Sequence, residues 1–279
     1  MYKIINKREL NSTVTMMDIY APLVAKKAQA GQFIILRVNE DGERIPLTIA
    51  GFDRDAGTVK IIFQIVGATT ALLNKKNVGE SIRDFVGPLG CATHTDGLKK
   101  VCIVGGGVGC AIALPLAQKL HDAGAEVHSI IGFRNKNLVI LEEEFKLCSD
   151  KLTVMTDDGS YGRKGLVTAP LEELISAGEG YDEVFAIGPL IMMKSVVGVT
   201  KPKNVPTTVS MNPIMIDGTG MCGGCRLTVG GKIKFACVDG PDFNGFEVDF
   251  DEAMARSKMY KDFEIKACKD CNLLKSEVK

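Results

Sequence analysis

The run Val101-Cys-Ile-Val-Gly-Gly-Gly-Val-Gly-Cys110 decides the fold of the central part of this chain. Its first residues form a short, uncharged apolar segment, which is typical of a buried parallel strand. The glycines lead into Ala111–His121, which has helical spacing, and Ala125–Ile131 reads as the next strand. Strand, glycine loop, helix and strand in this order predict a βαβ unit.

The glycine loop predicts a nucleotide-binding site. Glycine lets the backbone approach a phosphate closely, and the N-terminus of the following helix offers unpaired N–H groups. The alternative is a glycine-rich turn that serves packing alone. No acidic residue ends the second strand at Ile131, where Gly132-Phe-Arg134 stands instead, so the choice between NAD(H) and NADP(H) stays open. The candidate residues are Gly105, Gly106, Gly107, Val108, Gly109 and Arg134.

Residues 1–97, which precede this unit, read as β-structure. Gly31–Val38 and Thr58–Val66 are rich in β-branched and aromatic residues and are bounded by turn signals. Several short strands without a long helical period predict a small antiparallel barrel or sandwich. Thr69–Asn74 is expected to form one short helix.

Residues 98–208 are expected to form an open α/β domain, and residues 209–279 a small segment rich in glycine and cysteine. Within the α/β domain, Leu152–Thr156 and Val184–Ile187 are predicted strands, and Leu166–Ala177 is a predicted helix between them. Glu252–Tyr260 is the predicted final helix. The fold class is therefore α/β plus all-β, with an additional cysteine-rich segment.

Composition restricts the class of partner and the compartment. The 279 residues carry 34 basic and 34 acidic side chains, and a net charge of zero argues against nucleic acid or an anionic membrane as the main partner. The uncharged stretch Val101–Ala117 is broken by glycines and Pro115, which a lipid-facing helix would not contain. Nine cysteines without a recognisable secretory signal predict thiols or metal ligands in a cytoplasmic protein.

The spacing Asp217-x4-Cys222-x2-Cys225-x11-Cys237 is the most specific signal in the sequence. It matches the plant-type ligand pattern of a [2Fe–2S] cluster, with a carboxylate in the first position. A four-cysteine zinc site that combines Cys222 and Cys225 with Cys268 and Cys271 is the alternative, as are unligated thiols. The other cysteines are expected to be small buried apolar residues, namely Cys91, Cys102, Cys110 and Cys148.

Nicotinamide passes two electrons as a hydride, whereas an iron–sulfur cluster accepts one at a time, so a flavin is needed between them. We expect the N-terminal β-domain to bind this flavin. Arg44 can pair with a pyrophosphate and Thr48 can hydrogen-bond a flavin ring. Gly67-Ala-Thr-Thr70 precedes the short helix as a second candidate phosphate-binding loop.

This order of parts resembles the ferredoxin-NADP⁺ reductase superfamily, over essentially the whole chain. Within it, the sequence is similar to the electron-transfer subunits of dihydroorotate dehydrogenase and to the small subunits of NADH-dependent ferredoxin:NADP⁺ oxidoreductase, also called sulfide dehydrogenase. The resemblance implies FAD-binding residues Arg44, Pro46, Leu47, Thr48, Gln64, Val66, Gly67, Thr69 and Thr70. It also implies NAD(P)-site residues Asp157, Asp158, Gly159, Gly188, Pro189 and Met192, and cluster ligands Asp217, Cys222, Cys225 and Cys237.

The sequence departs from relatives at two informative positions. Plant-type reductases place the flavin arginine three residues before the Ser/Thr, whereas Arg44 lies four before Thr48. Many relatives have cysteine before the Gly-Pro near the nicotinamide, where this chain has Ile187. A thiol cannot assist hydride transfer at that position, and we therefore name no catalytic acid or base.

Asp217 in place of a first cysteine, followed by Asp239–Gly245, favours the ferredoxin:NADP⁺ oxidoreductase branch. The resemblance then implies a larger partner subunit that carries flavin and iron–sulfur clusters, interacts with ferredoxin, and takes part in electron bifurcation. The alternative is an electron-transfer subunit of an NAD-dependent dihydroorotate dehydrogenase. A third hypothesis is a non-enzymatic nucleotide-sensing or zinc-stabilised protein, which would be colourless and would not oxidise NADH.

Overall fold

The computed structural model describes residues 1–260, which begin with an antiparallel sheet that closes towards a barrel. Every second residue of its central strand, Val59, Ile61 and Phe63, is buried in the barrel core, as a period of two requires. Ile62 lies between them and packs outward against the next domain. The elements are β1 (Tyr2–Glu9), β2 (Val14–Tyr20), α1 (Pro22–Lys27), β3 (Phe33–Arg37), β4 (Arg44–Asp53), β5 (Thr58–Gln64), α2 (Ala68–Asn74), β6 (Ser81–Ile82) and β7 (Asp84–Leu89).

The second sheet is parallel and is covered by helices on both faces. Its elements are β8 (Lys100–Gly106), α3 (Cys110–Asp122), β9 (Glu126–Phe133), α4 (Glu142–Leu147), β10 (Lys151–Thr156), β11 (Arg163–Lys164), α5 (Thr168–Ser176), β12 (Glu183–Ile187), α6 (Leu190–Thr200) and β13 (Thr207–Ser210). The strand order is β11-β10-β9-β8-β12-β13. The direction of winding reverses between β8 and β12, and open α/β sheets bind ligands at the carboxyl ends of the strands at such a point.

The last described part is small and is attached to the second sheet. It contains β14 (Arg226–Val229), β15 (Lys232–Phe235), α7 (Ala236–Asp239), β16 (Asp242–Asn244) and α8 (Phe250–Arg256). Gly230 and Gly231 both have positive φ and form the tight turn that joins β14 to β15. Strand β16 pairs antiparallel with β13, so this segment extends the parallel sheet by one strand.

The three parts share their cores. Val14, Met16 and Ile62 of the barrel pack in one cluster with Ala113 and Leu114 of α3. Burial of a side chain such as Ile62 contributes about 1.5–3 kcal/mol, so contacts of this kind hold the barrel and the α/β domain together.

The structure confirms the predicted fold class and adds elements that the sequence did not show. Helix α6 was not predicted, because its apolar and β-branched residues lack a clear polar face. The final helix ends at Arg256 rather than Tyr260, and it begins at Phe250 because the Asp249 side chain accepts a hydrogen bond from the Glu252 N–H at 2.9 Å. The uncharged stretch Val101–Ala117 divides between β8 and α3. Among residues 1–260, no helix combines the length and apolar character that a membrane crossing needs.

Candidate functional site

A cavity of about 630 Å³ lies at the carboxyl ends of β8 and β12, where the winding direction reverses. The glycine loop forms one wall of it. A Cβ on Gly106 would lie 2.3 Å from Met192 Sδ, and a Cβ on Gly109 would lie 2.5 Å from the Ile187 carbonyl oxygen. These two glycines therefore allow the loop to pack against the start of α6.

Gly107 has a different role in the same loop. Its φ of +55° lies in the left-handed region, and no heavy atom lies within 4 Å of an ideal Cβ there. A side chain would therefore extend into open space beside the cavity. Gly107–Gly109 form a single 3₁₀ turn that leads directly into α3, and the Cys110 N–H already donates to the Gly107 carbonyl. The turn has no side-chain cap, so the N–H groups of Gly107, Val108 and Gly109 are the ones that can meet an anion. The loop fits a dinucleotide pyrophosphate.

The cavity brings together many of the residues predicted from the sequence. Those that line it are Gln64, Gly106, Gly107, Val108, Gly109, Arg134, Asp157, Gly188, Pro189 and Met192. Arg134 is exposed, and no carboxylate among the described residues pairs with it. Gln64 comes from the end of β5, so the barrel itself contributes to this cavity.

Three predicted nucleotide-site residues lie outside the cavity lining and shape its loops. Gly105 is inside β8, in register with Ile131 and Ile187. The Asp158 carboxylate accepts a hydrogen bond from the Ser160 N–H at 2.9 Å, and the hydrogen bonds from Ser160 lower the pKa of Asp158. Gly159 has a φ of +77° in the same turn.

The cavity also contains polar residues that sequence reasoning missed. The Asn11 side chain accepts hydrogen bonds from the N–H groups of Thr13 and Val14, each at 2.9 Å, and thereby shapes the turn between β1 and β2. This turn was not predicted from the sequence, and its proximity to the glycine loop is a tertiary contact that no local pattern encodes. The polar residues missed in this way are Asn11, Thr13, Ser195, Ser210 and Asn212.

The predicted flavin residues lie on the barrel, around the start of β4 and the loop after β5. Arg44 is exposed and has no ion pair within residues 1–260. Pro46, Leu47 and Thr48 are partly buried along β4. The Thr69 hydroxyl donates to Glu43 Oε2 at 2.9 Å, so the Gly67–Thr70 loop is held beside Arg44.

The two threonines of this loop have different roles. The Thr70 hydroxyl is buried, accepts hydrogen bonds from the N–H groups of Val66 and Gly67, and donates to the Gly67 carbonyl. It therefore shapes the loop and is not free for a ligand. Val66 is 70% exposed although it is apolar, which fits a residue that a flat ring would cover. An unpaired cation beside a shaped loop and an exposed apolar side chain fits a bound FAD.

The four predicted cluster ligands form two pairs. Cys222 Sγ lies 3.5 Å from Asp217 Oδ1, and Cys225 Sγ lies 3.2 Å from Cys237 Sγ. A [2Fe–2S] cluster has two irons, each of which takes two ligands from the protein. The paired arrangement therefore fits this cluster, in which Asp217 and Cys222 would hold one iron and Cys225 and Cys237 the other.

The loop that carries these ligands depends on glycine. Gly218, Gly220 and Gly223 all have positive φ, which lets the backbone curl without steric strain. The Asp217 carboxylate accepts hydrogen bonds from the N–H groups of Thr219, at 3.0 Å, and Cys222, at 2.9 Å. These bonds lower the pKa of Asp217, so an anionic oxygen is fixed in position for a metal.

The second pair of ligands is buried, with Cys225 1% and Cys237 2% exposed. Burial raises the pKa of Cys237 to about 12, so this thiol is protonated until a metal displaces its proton. Cys222, by contrast, is exposed. One side of the ligand set therefore faces solvent and the other faces the protein interior.

The cluster loop packs directly on the barrel. A Cβ on Gly218 would lie 2.6 Å from Leu89 Cδ1 and 2.8 Å from Ile35 Cδ1. Ile35 is the register partner of Pro46, one of the predicted flavin residues. The cluster loop therefore packs on β3, the strand that pairs with β4, where the predicted flavin residues Pro46, Leu47 and Thr48 lie.

A single-ion site gains no support from the described residues. Within residues 1–260, the one group that brings three ligand atoms within 4.8 Å of one another is Glu126, His128 and Glu179. The ammonium of Lys100 contacts both carboxylates of that group, at 3.0 Å for Glu126, so the group is an ion-pair network. Cys268 and Cys271, the other residues of the zinc alternative, lie outside the described residues.

The remaining cysteines divide into two groups. Cys102, Cys110 and Cys148 are buried, as predicted. The prediction for Cys91 is wrong, because this residue is exposed. Its N–H donates to the Gly240 carbonyl and its thiol donates to the Val238 carbonyl at 3.2 Å, so backbone contacts with the cluster segment hold it at the surface.

Asp242 joins the three parts of the molecule beside the cavity. Its carboxylate accepts a hydrogen bond from the Thr93 hydroxyl at 2.5 Å and faces Ser210, which lines the cavity. Burial raises the pKa of Asp242. The folded state therefore holds the proton more tightly than the unfolded state, and this contribution to stability is lost as pH rises through the folded pKa.

Asp242→Asn should accordingly remove part of the pH dependence of stability. At pH values well above the ordinary aspartate pKa of about 4, the variant should gain stability relative to the parent protein, because it avoids burying a charge. Thermal unfolding of the holoprotein between pH 5 and 8 tests this, with the exposed Asp251→Asn as control. The interpretation is wrong if the difference in Tm between Asp242→Asn and the parent is the same at every pH.

Comparisons with known proteins agree with this architecture. Residues 212–249 match the family described as the iron-sulfur cluster binding domain of dihydroorotate dehydrogenase B. A Thermotoga maritima protein described as a dihydroorotate dehydrogenase B (NAD(+)) electron transfer subunit homolog is 45% identical, over 94% of this chain and 92% of the relative. The electron transfer subunit of dihydroorotate dehydrogenase B (NAD(+)) from Geobacillus thermodenitrificans is 32% identical, over 88% of this chain and 96% of the relative.

Solved structures give the same result at the level of the whole chain. A structure described as giving insights into flavin-based electron bifurcation via the NADH-dependent reduced ferredoxin-NADP oxidoreductase is 43% identical. It superimposes with a TM-score of 0.93 and covers 98% of both chains. A ferredoxin reductase in carbazole 1,9a-dioxygenase is 20% identical, with a TM-score of 0.63 over 74% of this chain and 65% of the other, and shares the fold.

Proposed function

The chain belongs to the family of dihydroorotate dehydrogenase B electron transfer subunits and their homologues, and we propose that it is the electron-transfer subunit of an NADH-dependent ferredoxin:NADP⁺ oxidoreductase. The 43% identity and the match over 98% of both chains favour this branch. The relative named as a dihydroorotate dehydrogenase B electron transfer subunit itself is 32% identical, and the 45% identical relative is named only as a homolog of such a subunit. The proposal rests above all on one observation. The cluster loop packs on the same barrel that contributes Gln64 to the glycine-loop cavity.

We propose that three consecutive segments of the chain each bind one cofactor. Residues 1–97 bind FAD, residues 98–208 bind NAD(H), and residues 209–279 bind the [2Fe–2S] cluster. When bound, FAD accepts the electron pair of a hydride and passes electrons on singly, which is the form in which the cluster exchanges them. The protein's contribution is to place these sites around one barrel wall.

In the cavity, the N–H groups of the Gly107–Gly109 turn hold the pyrophosphate, and Arg134 interacts with the adenosine end. Pro189 and Met192 line the opposite part of the cavity and orient the nicotinamide towards the barrel. Hydride transfer then depends on stacking and proximity, without a catalytic acid or base from the chain. The exposed guanidinium of Arg134 leaves room for a 2′-phosphate, so NADP(H) is also accommodated.

At the flavin site, Arg44 would hold the pyrophosphate of FAD, and Thr48 and the exposed Val66 would contact its ring. The Gly67–Thr70 loop is fixed beside Arg44 by the Thr69–Glu43 hydrogen bond. At the cluster, Asp217 and Cys222 form the solvent-side pair and Cys225 and Cys237 the buried pair. The exposed side at Cys222 is where a partner would exchange single electrons with the cluster.

Relatives are named electron transfer subunits, so we propose that this chain works in a heterodimer or larger complex. Its partner is a larger subunit that carries flavin and iron–sulfur clusters, interacts with ferredoxin, and supports electron bifurcation. Cysteine ligands that must not be oxidised to disulfides, together with the use of NADH, support a cytoplasmic location for the complex.

The route through the cluster is tested by Cys225→Ser, which removes a buried ligand from one pair. The variant should retain FAD and should still pass electrons from NADH to ferricyanide, which can take them from the flavin. Reduction of a larger acceptor that depends on the cluster should fall by about 100-fold or more, as removal of a required group does. Cys148→Ser, which is distant from the cluster loop, is the control. Equal loss of both activities in Cys225→Ser would contradict the proposed order of sites.

A dihydroorotate dehydrogenase subunit is the second candidate, because residues 212–249 match the cluster domain of that family. The two functions share every cofactor and differ in the partner. In a complex purified from the native cell, reduction of NAD⁺ by dihydroorotate would favour this second function. Reduction of NADP⁺ by NADH together with reduced ferredoxin would favour the first.

A further inference from the structure

A second concave surface lies between the barrel and helix α3, and we propose that it binds a phosphate-bearing organic anion of the nucleotide class. This basic groove encloses about 1030 Å³ and is distinct from the glycine-loop cavity, with which it shares no lining residue. Its cationic lining residues are Arg8, Lys26, Lys27, Arg54, Lys60 and Lys119, against two carboxylates, Asp122 and Glu144.

The positive charge of the basic groove is only partly neutralised by the protein. Glu144 pairs with Arg8 at 3.3 Å. Lys26, Lys27 and Lys60 have no ion pair among the described residues. A chain with no net charge thus concentrates cations in one concavity, where low-dielectric walls strengthen the field that attracts an anion.

Two of the cations are held in place by other contacts. Arg54 donates a hydrogen bond to the Ala28 carbonyl at 3.2 Å, and its guanidinium lies 4.8 Å from the centre of the Phe52 ring. Lys119 donates to the Thr93 carbonyl at 3.4 Å. Because these side chains are already ordered, binding an anion costs less conformational entropy.

The shape and floor of the basic groove favour a small molecule over a protein surface. Lys60 lies on the barrel wall and Lys119 lies on the opposite α3 wall, so an anion between them meets cations from both sides. The floor is apolar and includes Met16, Ala50 and Ile62. The cationic walls suit phosphate groups, and the apolar floor suits a flat ring. A nucleotide combines these two parts, and the volume of the groove accommodates one.

The basic groove lies between the barrel and the α/β domain, so a ligand bound in it should stabilise the contact between them. The ligand would contact β5 of the barrel and α3 of the α/β domain together, and it would be bound only when both are folded and docked. Such a ligand stabilises the folded protein by RT ln(1 + L/Kd), where L is the concentration of free ligand, so the temperature of unfolding rises with ligand concentration and continues to rise above saturation.

The test uses the holoprotein with FAD and cluster bound, titrated with ADP and separately with tripolyphosphate. Binding is measured by calorimetry at low ionic strength, together with the shift in Tm. Because ADP can also enter the glycine-loop cavity, each titration is repeated on Gly107→Leu. The groove is altered by Lys26→Gln combined with Lys60→Gln, and the exposed Lys203→Gln combined with Lys75→Gln is the matched control.

In the Gly107→Leu background, where the glycine-loop cavity no longer takes ADP, we expect one remaining ADP site. Adding the two groove substitutions should lower the affinity of that site by about 10-fold or more, whereas adding the two matched control substitutions should leave it unchanged. Binding of ADP stronger than that of tripolyphosphate supports a nucleotide. If ADP and tripolyphosphate bind equally well and both are lost in the groove variant, the site recognises phosphate alone, and the proposal of a nucleotide is wrong. The proposal is wrong if neither probe binds, or if binding is lost in Gly107→Leu and kept in the groove variant. It is also wrong if the groove variant affects only association with the larger subunit.

Discussion

Replacing Asp217 by alanine should strip most of the iron and sulfide from the protein while FAD stays bound. The Asp217 carboxylate is 3.5 Å from Cys222 Sγ and is oriented by two backbone N–H groups, so its loss leaves one iron with a single ligand. Asp217→Cys should instead keep the cluster and change its reduction potential, because a soft thiolate replaces a hard oxygen ligand. We expect a change of about 60 mV or more, which is a tenfold change in a one-electron equilibrium.

Iron and sulfide analysis, the reduced-state electron paramagnetic resonance spectrum and a potentiometric titration measure these effects. Asp251→Ala is the matched control, since Asp251 is an exposed carboxylate on α8 that pairs with Lys194 at 2.7 Å and is not a ligand. If the metal content, the spectrum and the potential are unchanged in both Asp217 variants, Asp217 is not a ligand. The pairing with Cys222 would then have no role in binding the cluster.

Gly107→Leu should weaken the binding of NADH by about 100-fold or more. The leucine side chain would occupy the open space beside the cavity and keep the pyrophosphate from the N–H groups of the loop. Two or three lost hydrogen bonds to a charged group, each worth about 1.5–3 kcal/mol, account for this magnitude. An anaerobic titration that follows the flavin absorbance measures the affinity, and reduction by dithionite should remain normal.

The chain offers a close control for this substitution. Gly124 also has a positive φ, of +85°, also has no atom within 4 Å of an ideal Cβ, and lies at the far end of α3. Gly124→Leu therefore introduces similar backbone strain without approaching the cavity. If the two variants bind NADH with the same affinity, the glycine loop does not hold the nucleotide.

Local patterns were sufficient for the parts of the fold that depend on neighbouring residues. The strand, glycine loop and helix around Gly107 could be predicted because apolar runs and glycine have distinct local preferences. The ligand spacing from Asp217 to Cys237 could be recognised for the same reason, because the size of a cluster restricts how far apart its ligands lie along the loop. Helix α6 was missed because its apolar residues fit both a buried strand and a buried helix.

Contacts between distant segments could not be predicted. The pairing of β16 with β13 is only three residues long and joins segments separated by a long insertion. The contact of Gly218 with Ile35, which brings the cluster loop to the flavin strand, depends on how two domains pack. Asn11 and Thr13 reach the nucleotide cavity for the same reason. A single sequence records the residues of such contacts but not their partners.

The most direct test of the central claim is an anaerobic titration of the purified chain with NADH, followed by visible absorbance and electron paramagnetic resonance. We expect a yellow-brown protein that contains FAD, iron and acid-labile sulfide, whose flavin and cluster bands both bleach as NADH is added. We also expect the resonance signal of a reduced [2Fe–2S] cluster to appear in parallel. A colourless protein without flavin or sulfide, or a coloured one in which NADH reduces neither centre, would contradict the account.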